Sequence, residues 1–242
     1  QKSEMTAATT VLERAARILV SIKDWPNLQR TMSTLGLVAI RSNNVATAER
    51  FYRRALNLSH KLHLLGREDL LWMNLAICAA YQGLLTKSER YFMRALEQAK
   101  KKSSRRIMAI VYANIALLLL VQDKPATCAR FLGYAEQLLA QYPHPITEHM
   151  CAMVGTMLAL VQGNISRAFE RGQHCVQVVR DKQFKFKLAE SLTLMIEAAA
   201  KNKSWTDASM LLEELSHLPD QQADIYQFSL WNAKGHIAAL RG

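Results

Sequence analysis

The chain of 242 residues carries 31 Lys and Arg against 20 Asp and Glu, a formal charge of +11, and 50% of it is hydrophobic, which excludes a disordered tail and favours acidic partners. Nine glycines, five prolines and 7% aromatic residues are too few for collagen, a linker-rich array or a turn-dense β-sandwich, so helix is the expectation. Cys78, Cys128, Cys151 and Cys175 lie far apart with no CxxC. That supports neither a disulfide framework nor a zinc ribbon and points to a reducing, intracellular compartment, cytoplasmic or nuclear.

The opening Gln1-Lys2-Ser3-Glu4-Met5 lacks the basic-then-apolar layout of a signal peptide and is expected to belong to a piece excised from a longer chain. Residues 2–22 are predicted to form a lone helix, the second half of a hairpin. Turn signals then recur at Asn43-Asn44, Gly83, Asp123-Lys124-Pro125, Gly163-Asn164 and Asn202-Lys203-Ser204, a period of 40 residues with one helix before each turn and one after it. Thr86, Ser166 and Thr206 are expected as N-caps of the second helices, and Pro125 suits the first turn of its own. Ile107–Val121 imitates a positively flanked membrane span, but fifteen residues that include Asn114 fall short of the ~20 a span requires. It is expected to be a buried helix, with no membrane contact. Tyr142-Pro143-His144-Pro145 and Leu218-Pro219 mark connections, and residues 222–240 are predicted to be a lone first helix, which brings the total to twelve.

The same period orders the apolar residues. Leu35-Gly36, Leu75-Ala76, Ile115-Ala116, Gly155-Thr156 and Met195-Ile196 precede the turns. Small residues follow them at Ala48, Ser88, Cys128, Ala168 and Ala208, and again at Ala15, Ala55, Ala95, Ala135 and Cys175, with Leu215 out of pattern. Large residues stand between at Tyr52, Phe92, Leu132 and Leu212, Gly172 excepted. Small side chains let helix axes approach to ~8–10 Å, and a hairpin apolar on more than one face must stack on its neighbours. The expected fold is therefore all-α, a solenoid of helical hairpins. Its five units lie near 29–68, 69–108, 109–148, 149–188 and 189–221, with a half unit at each end of 1–242.

Trp72, Leu75, Ala76, Ser88, Phe92 and Ala95 resemble the tetratricopeptide repeat (TPR) pattern of a large residue, Leu and a small residue before the turn, then Ala, an aromatic and Ala after it. Leu35, Gly36, Ala48, Tyr52 and Ala55 carry the likeness in the first unit, and Tyr112, Ile115, Ala116, Cys128 and Ala135 in the third. Gly155, Gly172, Ile196 and Leu215 depart from it. The resemblance implies a right-handed α-α superhelix. Units of this length resemble those in MalT-type regulator arms, Pins/LGN-type adaptors and Mau2-type cohesin-loader subunits.

It also implies a concave groove lined by first helices, with Leu70, Met73, Asn74, Ile77, Ile110, Ala113, Asn114, Leu117, Met150, Met153 and Met157 facing a bound segment. Met surfaces repack around varied apolar side chains. Asn74 and Asn114, one period apart, match asparagines that hold an extended peptide backbone in related adaptors, since an amide can both donate to and accept from a peptide unit. The family's clamp for a terminal carboxylate is not expected, because its places read Ser33, Leu37, Asn74, Ile110 and Asn114 and offer no cation.

Positive charge concentrates elsewhere. Arg50, Arg90 and Arg130 recur on second helices, while Lys100, Lys101, Lys102, Arg105 and Arg106, and then Arg180, Lys182, Lys185 and Lys187, stand at connections between units. These form a predicted basic edge, partly balanced by Glu49, Glu89 and Glu97. No aromatic residues interleave with it as single-strand stacking on nucleic acid would demand, so nucleic acid is not the expected partner. No Gly-rich phosphate loop, GxSxG, HExxH or catalytic carboxylate pair occurs. His144, Glu148, His149 and Cys151 straddle a Pro-rich connection and do not read as a metal site, and adjacent His174 and Cys175 point in different directions on a helix. No cofactor, metal or enzymatic activity is expected. The predicted function is protein-protein interaction, with a partner segment bearing apolar anchors and acidic residues. The alternative is a ligand-sensing or oligomerisation arm of a signal-responsive transcription regulator.

Overall fold

The computed structural model describes residues 2–64, 67–183 and 185–218, with the single positions 235 and 238. Among them it is all-α. The helices are α1 (Lys2–Ser21), α2 (Trp25–Arg41), α3 (Val45–Lys61), α4 (Glu68–Tyr81), α5 (Leu85–Lys101), α6 (Arg105–Val121), α7 (Pro125–Gln141), α8 (Pro145–Val161), α9 (Ile165–Asp181), α10 (Lys185–Lys201) and α11 (Trp205–Ser216). The predicted helix over 222–240 and the connection at Pro219 lie outside the described residues. No helix among them is long and apolar enough to cross a membrane.

The chain divides into two compact units, Gln1–Val111 and Tyr112–Gly242. In the first, α1 packs on α2, α2 on α3, α3 on α4 and α4 on α5; in the second, α7 packs on α8, α8 on α9, α9 on α10 and α10 on α11, and α8 also touches α10. The register of small residues explains this packing. Ala48, Ser88, Cys128, Ala168 and Ala208 are all fully buried, as are Ala55, Ala95, Ala135, Cys175 and the larger Leu215. Ser88 uses its burial to donate a 2.8 Å hydrogen bond from Oγ to the Ala76 carbonyl across its hairpin. At Gly36 the Tyr52 ring lies 2.6 Å from where a Cβ would stand, so the largest residue of α3 sits directly on the backbone of α2.

Short joints set the helix lengths. Lys23, Asn43, His63, Gly83, Ser103, Asp123, Gly163, Gln183 and Lys203, on a twenty-residue beat, have φ between 48° and 73°. Each follows a helix end. At Gly83 its N–H bonds to Ala80 and that of Leu84 to Ala79, the paired bonds of a Schellman motif, and the same pair recurs at Asn43-Asn44, Ser103-Ser104, Asp123-Lys124, Gly163-Asn164 and Lys203-Ser204. The second residue of each pair is also the N-cap of the following helix, so one three-residue joint serves both helix ends. The N-caps therefore fall two residues before the predicted positions. Asn164 accepts from the Arg167 N–H, Leu84 and Ser204 occupy the other two places without side-chain caps, and Thr86, Ser166 and Thr206 lie inside the helices. Pro125 opens α7 as predicted. Among the described residues from 23 to 203 the beat fails once, at residue 143, where proline fixes φ near −65° and cannot take the left-handed form. There His144 caps α8 in an extended conformation, its ring accepting from the Thr147 N–H.

Candidate functional site

A helix turns ~100° per residue, so Leu70, Asn74 and Ile77 share one stripe of α4. All three are half-buried, while Leu71, Leu75, Ala76, Cys78 and Ala79 behind them are buried. Ile110 on α6 is half-buried too. The Asn74 amide makes no hydrogen bond among the described residues. Met73 differs from the expectation: it is 9% exposed, on the flank of the stripe beside buried Asp69 and Ala76, and holds the wall rather than lining a surface.

In the second unit Asn114 and Leu117 of α6 and Met150 and Met157 of α8 are half-buried, and the Asn114 amide approaches the Met150 sulfur at 4.0 Å. Ala113 and Met153, at 0% and 6% exposure, are packed inside, because nearly every position in the middle of α8 is covered. Each unit thus carries its own apolar stripe with one asparagine in it.

Among the described residues the expected basic edge separates into paired and unpaired groups. Lys101 pairs with Glu97 at 2.7 Å, and Lys102 reaches the buried Asp69 carboxylate at 3.2 Å. Arg180 bonds Glu214, and Lys187 pairs with Glu190 at 2.7 Å. Lys100, Arg105, Arg106 and Lys182 are exposed. The Lys185 side chain lies outside the described residues. A second polar centre, which the repeat pattern did not reveal, forms around Glu49 on α3. Its carboxylate accepts from Gln82, Arg53 and Lys87 at 2.9, 2.8 and 3.2 Å. Burial raises the carboxyl, but those three donors outweigh it and hold it at about 2. Above this centre Trp72 lies 5.3 Å from Tyr91, with the Arg94 guanidinium 4.8 Å from the indole. That makes a cation–π stack.

The four cysteines are buried free thiols, and burial pushes them up to between about 11 and about 12, so none is a thiolate nucleophile at neutral pH. His174 faces Glu148 at 3.5 Å rather than Cys175. Cys175 instead donates to Ser191, whose hydroxyl lies 2.9 Å from Nε2 of His149. This trio is sealed from solvent, with His149 and Ser191 each 1% exposed. Desolvation first, and then the Lys187 charge, hold the imidazole down at about 4 against a smaller opposing effect of Glu190, so it stays neutral. No group of His, Cys, Asp and Glu among the described residues could hold a metal ion.

No protein-family model and no curated protein matches this sequence. Solved structures do match. BtubC (BKLC) from P. vanneervenii superposes with a TM-score of 0.64 at 15% identity, over 100% of this chain and 92% of that one. The apo quorum sensor NprR from B. thuringiensis gives 0.70 at 12% identity, over 96% of this chain and 66% of that one. A STAND signal-transduction ATPase with a tetratricopeptide repeat sensor from Pyrococcus horikoshii gives 0.66 at 14%, over 95% of this chain and 36% of that one. The chain therefore spans only part of the last two proteins, and likeness at such identity concerns the fold. Consecutive helical hairpins, small residues at the crossings and these superpositions agree: the chain is a TPR-like all-helical repeat protein.

Proposed function

We propose that the chain is a non-catalytic protein-interaction module of the long-unit TPR type, with a partner segment held against the first-helix stripes. The long unit is supported by helix starts at Val45, Leu85, Pro125, Ile165 and Trp205, each forty residues after the one before. The binding reading rests on one observation: on α4 the half-buried Leu70 and Ile77 flank an asparagine whose amide has no hydrogen-bond partner among the described residues. An extended backbone would satisfy both ends of that amide while its side chains pack on the apolar flanks. Asn114, Leu117, Met150 and Met157 offer the equivalent surface in the second unit, where Asn114 would exchange its weak sulfur contact for a peptide carbonyl. Acidic residues on the partner would meet exposed Lys100, Arg105, Arg106 and Lys182 and raise the association rate. The four buried free thiols suit a reducing, intracellular compartment.

Capture of partners by the chain, mapping of the minimal bound peptide and titration against Asn74→Ala and Asn114→Ala test this. Each variant should weaken binding about tenfold, the worth of one or two lost hydrogen bonds, with unchanged helicity. Unchanged affinity in both would reject a peptide-binding role for these asparagines. A second reading, a sensor arm of a signal-responsive regulator, is favoured by the superpositions on NprR and on the STAND sensor. A regulatory ATPase or DNA-binding domain in the same polypeptide, with an output that changes when a ligand binds, would decide for it.

A further inference from the structure

The fourth hairpin breaks the repeat in a coordinated way. Where α4 carries Trp72 and Leu75, and α6 carries Tyr112 and Ile115, α8 carries Ala152 and Gly155. Where α5 and α7 present Tyr91 and Phe131 to those rings, α9 presents Arg171. Where Leu56, Leu96 and Val176 are buried, α7 has Glu136, bonded to Arg171 at 2.7 Å. Two large side chains are missing; the Arg171 guanidinium fills the place at Gly155, and Ala152 borders the gap that remains. The result is a cavity of about 470 Å³ between α7 and α9, floored by α8. It lies on the side of α8 opposite Met150 and Met157 and is distinct from the stripe proposed above.

Its walls are specific. Arg171 extends across Gly155 so closely that any Cβ there would collide with its guanidinium, and Glu136 fixes that plane from α7. Glu148 and Glu170 supply carboxylates, Arg167 a guanidinium, and His174 borders the opening beside Glu148. Neither Arg167 nor Glu170 is engaged in an ion pair among the described residues. In the first unit the equivalent space holds the Trp72 ring under the Arg94 guanidinium. In the fourth hairpin the place of Tyr91 is taken by Arg171 and that of Arg94 by His174, both of which line the space, and the ring is absent.

We propose that this cavity binds a small aromatic zwitterion, an aromatic amino acid, whose ring lies over Ala152 against the Arg171 guanidinium. Its ammonium meets Glu148 and Glu170, and its carboxylate meets Arg167. A ring between a fixed guanidinium and an apolar floor gains cation–π and burial together, and opposite charges on neighbouring turns of α9 orient the head group. The volume falls within the ~300–1,000 Å³ of small-ligand sites.

The test titrates L-tryptophan and L-phenylalanine into the intact 242-residue chain by 1H–15N NMR, with L-alanine lacking the ring and phenylacetate lacking the ammonium. Saturating shifts at amides of α8 and α9 are expected below about 10 mM L-tryptophan, with L-alanine and phenylacetate at least about tenfold weaker. Ala152→Trp, which restores the repeat's own ring, should abolish binding. If that variant does not fold, Glu148→Gln combined with Glu170→Gln reads the head-group contact and should weaken binding at least about tenfold. No saturable shift for either aromatic probe, L-alanine binding as tightly as L-tryptophan, or affinity unchanged by the paired Gln substitutions would each overturn the proposal.

Discussion

His149 makes the sharpest prediction. Its ring is 1% exposed, hydrogen-bonded to Ser191 at 2.9 Å, and held at about 4 against an ordinary 6.5. The folded pKa is therefore below the unfolded one. Above pH 6.5 neither state binds the proton and His149 has no effect on stability. Between 6.5 and 4 the unfolded chain takes up a proton that the folded one refuses, so stability falls as pH falls. At about 1.4 kcal/mol per pH unit the loss reaches about 2 kcal/mol at pH 5 and levels at about 3 kcal/mol below pH 4. The assay is the denaturant midpoint from pH 7.5 to 4.5 in the wild type and in His149→Gln, which keeps a polar partner for Ser191, together with the NMR titration of the His149 ring. The variant should lose most of this slope. A ring that titrates near 6.5, or a variant whose midpoint falls in parallel with wild type, refutes the reasoning.

Glu49, held at about 2, contributes stability that is fully present above pH 4.5 and is lost as pH falls toward 2; Glu49→Gln should flatten acid unfolding in that window and leave the His149 window intact. At the joints, Lys203→Gly should raise the denaturant midpoint by the equivalent of about 1 kcal/mol, since φ is 59° there, and Gly83→Ala, at φ 73°, should lower it by a similar amount. Ala95→Leu places a large side chain at a fully buried crossing and should destabilise by ~1–3 kcal/mol in thermal or chemical melts. Gly36→Ala should cost about as much, because the Tyr52 ring lies 2.6 Å from the new Cβ and must leave its site; unchanged near-UV dichroism would contradict that.

Periodic information carried the architecture because close helix approach forces small side chains at fixed spacing, and Ala48 through Ala208 show that constraint without exception. The joints were legible as places and illegible as conformations. Lys, His, Ser, Asp and Gln take the left-handed position as well as Asn and Gly, so composition located the turns while the caps fell two residues earlier than expected. Within the stripes, Asn74, Ile77 and Leu117 face outward where a helical wheel places them, but Met73 and Met153 sit at flanks whose burial depends on the adjacent helix, which no wheel contains. Long-range polar partners were invisible for the same reason: Lys102 finds Asp69 and His149 finds Ser191 across 33 and 42 residues. The fourth-hairpin cavity did leave a trace, in Gly155 and Gly172 standing where the register calls for bulk, although only the fold shows that Arg171 fills the first gap and Met195 the second, while the cavity opens beside Ala152.

Because the residue that ends one helix's hydrogen bonding also starts the next, a joint such as Asp123-Lys124 has no slack. A single inserted amino acid would rotate everything downstream by ~100° and turn an interior face outward, so length changes within these hairpins should be lethal to folding. Duplication or deletion of whole twenty- or forty-residue modules preserves the phase. The joint Tyr142-Pro143-His144 has no left-handed residue, and it is there that an evolving gene or a protein engineer should find insertions tolerated.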